Sequence, residues 1–450
     1  MLLFNNTTDE FSRLDYFFIY CHFSKYLFPL QIIKQIKRKK ILKAFFVFTI
    51  VFLMMIPIHF KYIVKSDFSI LVFSDIHLDK YYQAKSDKNI KRCEKFVKNA
   101  DYMPLGRSGC YSPPKLIEYV FQKMKSTIKN PDLVIFGGDS IAFKSVRSIF
   151  DVEHALAFIF NKVKETFPNS PFLFVPGNTD FFPSYSMNNV DVVNINRILN
   201  LYRPFLMNNE METFRKGGYF QRDFKDQKLR FITLNSVLLA SSYRNEPVDI
   251  NPYEQLSWLN KSLFNSSQEN LKTIVLSHIF PCQNYCDCWR EKYTKQFESI
   301  LMLNTPTYIL NFHTHLGRLR QFFINGSKYY SLTCPSISPS HDNYPSFRII
   351  KWRKATIRDI LDYEISNDSI YVTSFRKHLS MNGINQKEFN NLRKRIQINE
   401  KIFHNYIRIA TANWTKNYLI SMCNQTSNEK IFDCISQADD IFNVDRKIIC

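Results

Sequence analysis

Glycine is scarce in this chain, with 10 residues in 450. Lysine, asparagine, isoleucine and phenylalanine are abundant beside it, the mark of AT-rich codons. The formal charge of +20 is therefore weak ground for a nucleic-acid partner, and none is expected. Acidic residues are also short. Beyond residue 60, 37 Asp and Glu stand against 52 Lys and Arg, a balance that suits an anionic substrate or surface. No internal repeat is present, which excludes solenoids and arrays. No C-x2-C pair occurs either. Cys282, Cys286 and Cys288 are spaced C-x3-C-x-C with no second cluster, so disulfides are a better reading than a zinc site.

Long apolar runs are nearly absent too. The exception is Ala44 to Phe60, seventeen residues without a charge, which is the short end of a membrane-spanning length, with Pro57 near its close. Lys34, Lys37, Arg38, Lys39, Lys40 and Lys43 precede it and few cations follow soon after. That asymmetry predicts a single-pass type II signal anchor with a cytosolic N-terminus. Cleavage after the segment is the main alternative; a buried helix fits the basic flank less well. Across the membrane, in a secretory, vacuole- or lysosome-like lumen or outside the cell, oxidising conditions suit the nine cysteines that follow. Six Asn-x-Ser/Thr sequons, at Asn260, Asn265, Asn325, Asn367, Asn413 and Asn424, add little in an asparagine-rich chain.

What the chain does have is 45% hydrophobic residues and enough length for two or three domains. Short β-rich runs alternate with helical stretches from Phe68 to Lys351. Strands are predicted at Ser69–Phe73, Leu133–Phe136, Phe172–Val175, Arg230–Leu234, Thr273–Leu276, Tyr308–Asn311, Tyr329–Leu332 and Phe347–Lys351. Lys115–Ile128 and Val152–Thr166 carry the 3.6-residue period of helices. This order predicts a layered α/β fold with mixed sheets. From about Thr356 strands are expected to stop, leaving an amphipathic stretch, Gln386–Ile420, and a small helical region containing Cys423, Cys434 and Cys450. The expected organisation is a cytosolic basic segment over 1–43, the anchor over 44–60, a catalytic domain over 67–355 and a helical C-terminal region over 356–450.

Five of the predicted strands end in metal-binding side chains. Leu71-Val72-Phe73-Ser74-Asp75-Ile76-His77 ends in an aspartate and a histidine, which an extended chain would place on one side. Leu133 to Phe136 leads through Gly137 and Gly138 to Asp139. Phe172 to Val175 leads through Pro176 and Gly177 to Asn178. Ile274 to Ser277 ends in His278, and Tyr308 to Phe312 leads to His313 and His315. Glycines at 137, 138 and 177 allow the backbone to turn sharply beside a ligand. Singly, each residue has a plain explanation as a helix cap or a core histidine. Together they form one pattern at the strand ends, where open α/β sheets bind ligands.

The order D-x-H, G-D, G-N, H, H-x-H resembles that of the calcineurin-like metallophosphoesterases over roughly residues 68–350. Gly106 to Pro114, Asn251 to Leu259, and His278-Ile279-Phe280-Pro281 with Trp289 and Tyr293 resemble the acid sphingomyelinase-like phosphodiesterases. Endopolyphosphatases share these features; no saposin-like domain precedes them here. The resemblance implies two packed mixed sheets flanked by helices. It also implies two divalent metal ions, zinc before iron or manganese. Asp75, His77 and His315 would hold the first ion, and Asn178, His278 and His313 the second, with Asp139 bridging. A matching family disulfide implies that Cys93 pairs with Cys110. The implied function is a membrane-anchored phosphodiesterase acting on a phosphoester, phospholipid or, as the alternative, polyphosphate. Two positions depart from the pattern: Thr179 and Phe143 stand where relatives carry histidines that assist the leaving group. Asp180 is the carboxyl available to replace them; failing that, the chain is a metal-binding pseudoenzyme or scaffold.

Overall fold

Strand β1 (Phe68–Phe73) is flanked by β2 (Leu133–Phe136), and β2 by β3 (Phe172–Phe174), all parallel. The computed structural model describes Thr49 and residues 67–86, 93–186, 192–242, 251–281, 289–324, 327–366, 369–411 and 426–437. Helices α1 (Pro114–Thr127) and α2 (Ile149–Thr166) connect these strands. Pro at the first position of α1 needs no intrahelical donor there. Ser148 and Asp151 close a reciprocal capping box on α2. Every residue of β2 and β3 is buried, as expected of parallel strands covered on both faces.

The chain then builds a second sheet from β4 (Phe220–Phe224), β5 (Leu229–Leu234), β6 (Lys272–Ser277), β7 (Tyr308–Asn311), β8 (Leu319–Ile324) and β9 (Ser327–Thr333). Its order is β4-β5-β6-β7-β9-β8, with β5, β6, β7 and β9 parallel and the two edge strands antiparallel. Helices α3 (Gln255–Gln268) and α4 (Glu291–Leu303) feed β6 and β7. Arg222 of β4 links the sheets. Its guanidinium donates to Glu210 and to the Phe172 carbonyl of β3, and it is buried.

The prediction that strands stop at Thr356 is corrected by the structure. Strands β10 (Ser346–Arg353), β11 (Thr356–Ser366) and β12 (Ser369–Ser374) form an antiparallel meander that completes the first sheet as β12-β11-β10-β1-β2-β3. Polar residues hide the strand period in β11. Asp362 lies opposite Arg348 in β10 and takes a two-pronged bond from it at 2.6 and 2.8 Å, so a charged position is a core position.

Within the Gln386–Ile420 stretch the described residues form two helices, α5 (Gln386–Ile398) and α6 (Glu400–Thr411). Asn385 and Asn399 cap them by accepting from the Glu388 and Ile402 amides. A last helix, α7 (Asn428–Gln437), contacts α5. Residues 412–420 lie outside the described part, as do Cys282, Cys286, Cys288, Cys423 and Cys450. The 44–60 segment lies outside it too, except Thr49. Among the described residues no helix is long and apolar enough to cross a membrane. Cys93 and Cys110 are disulfide-bonded, as the resemblance implies, with Cα atoms 5.8 Å apart. The chain thus folds as two mixed β-sheets with flanking helices.

Candidate metal centre

Three parallel strands of the first sheet and two of the second end at one place. Asp75 and His77 follow β1, Asp139 follows β2, Asn178 follows β3, His278 follows β6, and His313 and His315 follow β7. The reason they converge differs from the alternation expected of extended chain. Strand β1 ends at Phe73, and Asp75 and His77 have left-handed backbone, with φ of 50° and 47°. Asp139 (61°), His313 (70°) and His315 (63°) do the same. Each such non-glycine residue costs about 1–3 kcal/mol, and it persists only where the surroundings impose it.

The surroundings are main-chain bonds between neighbouring loops. Asp75 and His77 amides donate to the Gly138 and Asp139 carbonyls, at 2.9 and 3.0 Å. Phe312 donates to the His278 carbonyl at 3.0 Å. Gly177 is required by closeness, since a Cβ there would stand 2.2 Å from the Asp139 nitrogen.

Asp75, His77 and His315 offer ligand atoms within 4.8 Å of one another, and Asp139, His278 and His313 form a second such group. His77 Nε2 lies 3.1 Å from His315 Nε2, and His315 Nε2 lies 3.8 Å from Asp75 Oδ1. His278 Nε2 lies 3.0 Å from Asn178 Oδ1. Asp139 Oδ2 stands between the groups, 3.4 Å from both His77 Nε2 and His278 Nε2. All seven predicted residues are brought together. Six are buried, and His313 is partly open to solvent.

Proton positions follow from the outer partners. His77 Nδ1 meets the Ile141 carbonyl at 3.2 Å and His278 Nδ1 meets the Gly137 carbonyl at 2.7 Å. A carbonyl can only accept, so each Nδ1 carries a hydrogen, and a neutral ring then aims its Nε2 lone pair inward. Lone pairs, carboxylate oxygens and an amide oxygen thus converge. Asp75 Oδ1 is buried there without a hydrogen-bond partner. Such a donor set fits cations.

The ionisations divide the set. Burial holds His77 and His315 below the ordinary histidine value, leaving neutral rings. Burial also pushes His278 down, but the Asp139 charge and hydrogen bond carry it up to about 9. Burial lifts Asp75 to about 7 despite His278, with Asp139 adding to the rise.

The two departures have structural roles of their own. Thr179 is buried, and its amide and hydroxyl both donate to Asp139 Oδ1, at 2.9 and 3.1 Å. That commits one oxygen of Asp139 and leaves Oδ2 facing both groups. Phe143 is 43% exposed and lies edge-on to Tyr185. Burial lifts Asp180, the carboxyl expected to replace the absent histidines, to about 6, with the Asp139 charge adding to the rise. Asp180 is fully buried, and its oxygens accept from the amides of Gly177, Asp139 and Ser140 at 2.8, 3.1 and 2.8 Å. It braces the loops that carry Asp139 and Asn178. Sequence reasoning missed His341, whose Nδ1 lies 3.0 Å from His315 Nδ1. It follows no strand and has no ligand spacing, so no sequence signal marks it.

The chain is 26% identical over 314 residues to a cyclic GMP-AMP phosphodiesterase of Homo sapiens, covering 65% of this chain and 69% of that one. It is 26% identical to acid sphingomyelinase-like phosphodiesterase 3b of Mus musculus, over 64% of this chain and 69% of that one. Among solved structures, a dimetal phosphatase from Danio rerio aligns with 68% of this chain and 99% of its own, at 13% identity and a TM-score of 0.43. Residues 68–317 match the calcineurin-like phosphoesterase model, and the chain belongs to that family.

Proposed function

We propose that this protein is a dinuclear metal-dependent phosphodiesterase. Asp75, His77 and His315 would hold one ion and Asn178, His278 and His313 the other, with Asp139 between the two sets. The observation that carries this reading is the position of Asp139 Oδ2, 3.4 Å from a histidine of each group. Two divalent ions so held would polarise a phosphoryl oxygen and make a bound water acidic enough to attack near neutral pH. The chain's own residues do the rest. Ile141 and Gly137 carbonyls fix the His77 and His278 tautomers, and Thr179 turns Asp139 so that one oxygen serves both sides. Four imidazoles in the ligand set favour zinc. Both relatives named above are phosphodiesterases, so the phosphodiester bond is the substrate feature they share.

Leaving-group help is the weak side of this site. Phe143 has no proton to give, and Thr179 and Asp180 are held by other bonds. General-acid assistance is worth about 10²–10⁴-fold where it operates. The protein therefore acts best on esters or anhydrides whose leaving oxygen departs unassisted, and phosphoanhydrides such as polyphosphate are the second substrate class to test. The Ala44–Phe60 segment and the preceding cations support a membrane anchor, and the Cys93–Cys110 bridge supports a lumenal or extracellular domain.

The test combines elemental analysis with a series of diesters. The native chain should hold two ions and cleave bis(4-nitrophenyl) phosphate far faster than alkyl diesters. Log rate should fall steeply as leaving-group pKa rises. Asp139→Asn should lose both ions and His278→Ala mainly one. Two ions retained by Asp139→Asn would refute the bridge. A flat dependence on leaving-group pKa would show that an acid acts from elsewhere.

A further inference from the structure

We propose that His341 is a positioning residue for His315, fixing that ligand's tautomer and ring orientation by a side-chain hydrogen bond; the inference rests on the metal-centre reading above. His315 points Nε2 inward, towards His77 and Asp75, so Nδ1 is its outward nitrogen. His341 Nδ1 lies 3.0 Å from it, with the ring centroids 3.9 Å apart. Two ring nitrogens at that separation share one hydrogen. A ligating His315 has its lone pair on Nε2 and its hydrogen on Nδ1, so His341 Nδ1 accepts and its own hydrogen sits on Nε2. His77 and His278 are oriented by main-chain carbonyls. His315 is oriented instead by a side chain on a loop.

That loop is held firmly enough for the purpose. The His341 amide donates to Asn343 Oδ1 at 3.3 Å, and Asn343 Nδ2 donates to Ser336 Oγ and the Ser338 carbonyl, both at 3.0 Å. Ser340 Oγ lies 3.1 Å from His341 Nδ1 and 3.4 Å from His315 Nδ1, bracing both rings. From the other side, Ser108 Oγ donates to Asp342 at 2.6 Å and the Gly109 amide to the Pro339 carbonyl at 2.9 Å. Those two residues adjoin Cys110, whose bridge to Cys93 closes their loop. Partners that orient a ligating histidine are worth about 10–100-fold in metal affinity.

Zinc titration of the full chain against a competing chelator tests this, with cobalt absorption as a second readout. The native chain should bind in two steps. His341→Leu should weaken one step by about 10–100-fold, shift the cobalt spectrum of that site and leave the other step unchanged. His341→Asn keeps an acceptor in the place of Nδ1 and should stay within about threefold of native. A native-like His341→Leu would overturn the inference. So would a His341→Asn that loses as much as His341→Leu, because the ring's bulk rather than its acceptor would then matter. A native chain that takes up no zinc would overturn the metal-centre reading itself, and this inference with it.

Discussion

Asp180 is the residue at which bracing and reacting roles can be told apart. Three amides point at its two oxygens, so the carboxylate accepts all it can from that side. Asp180→Asn would turn an NH2 against one of these amides inside a buried site. We expect a loss of about 3 kcal/mol in unfolding free energy, with metal content falling as the Asp139 and Asn178 loops loosen. Chemical denaturation and elemental analysis check it. Unchanged stability with lost turnover would instead mark a proton donor. At this scale the ligand types were legible, because aspartate, asparagine and histidine directly after apolar runs are visible in one sequence. Their geometry was not. Left-handed backbone at Asp75, His77, Asp139, His313 and His315 is imposed by partners up to 238 residues away, which no local pattern encodes.

The elements themselves divide along the same line. β2 and β7 fall at their predicted bounds because buried parallel strands read as unbroken apolar runs. β11 was missed because Asp362 and Glu364 are buried through pairing with Arg348 and Arg408. Pairing with an arginine from a neighbouring strand or helix turns charge into core, and only the fold reveals it. Glu364 yields a test. Burial raises its pKa to about 7 in spite of Arg408. The folded chain therefore keeps a proton that the unfolded chain loses near its ordinary value of about 4.5. That stabilising contribution is complete below the ordinary value and disappears as pH rises through about 7. Glu364→Gln should thus gain stability relative to native between pH 5 and pH 8. Denaturation midpoints at both pH values check the sign, and a difference that does not change with pH would refute it.

For the molecule as a whole, the Cys93–Cys110 bridge closes 17 residues of chain. Replacing both cysteines with serine should cost about 3 kcal/mol by loop-closure entropy. A thermal melt of the double variant measures it, and a native midpoint would show that the loop is fixed by its other contacts alone. The two-sheet plan was legible from the sequence. The return of the chain to finish the first sheet was not, since long-range pairing leaves no periodic mark.

That return governs when the site can form. β1 is the first strand of the domain to be synthesised, yet the neighbour on its outer side, β10, comes nearly three hundred residues later, with Phe68 paired to Trp352. His77 must wait 238 residues for His315. A nascent chain therefore carries scattered candidate ligands and no complete set until His315 has left the ribosome. On the reading proposed above, metal uptake follows folding and takes place where the finished domain folds.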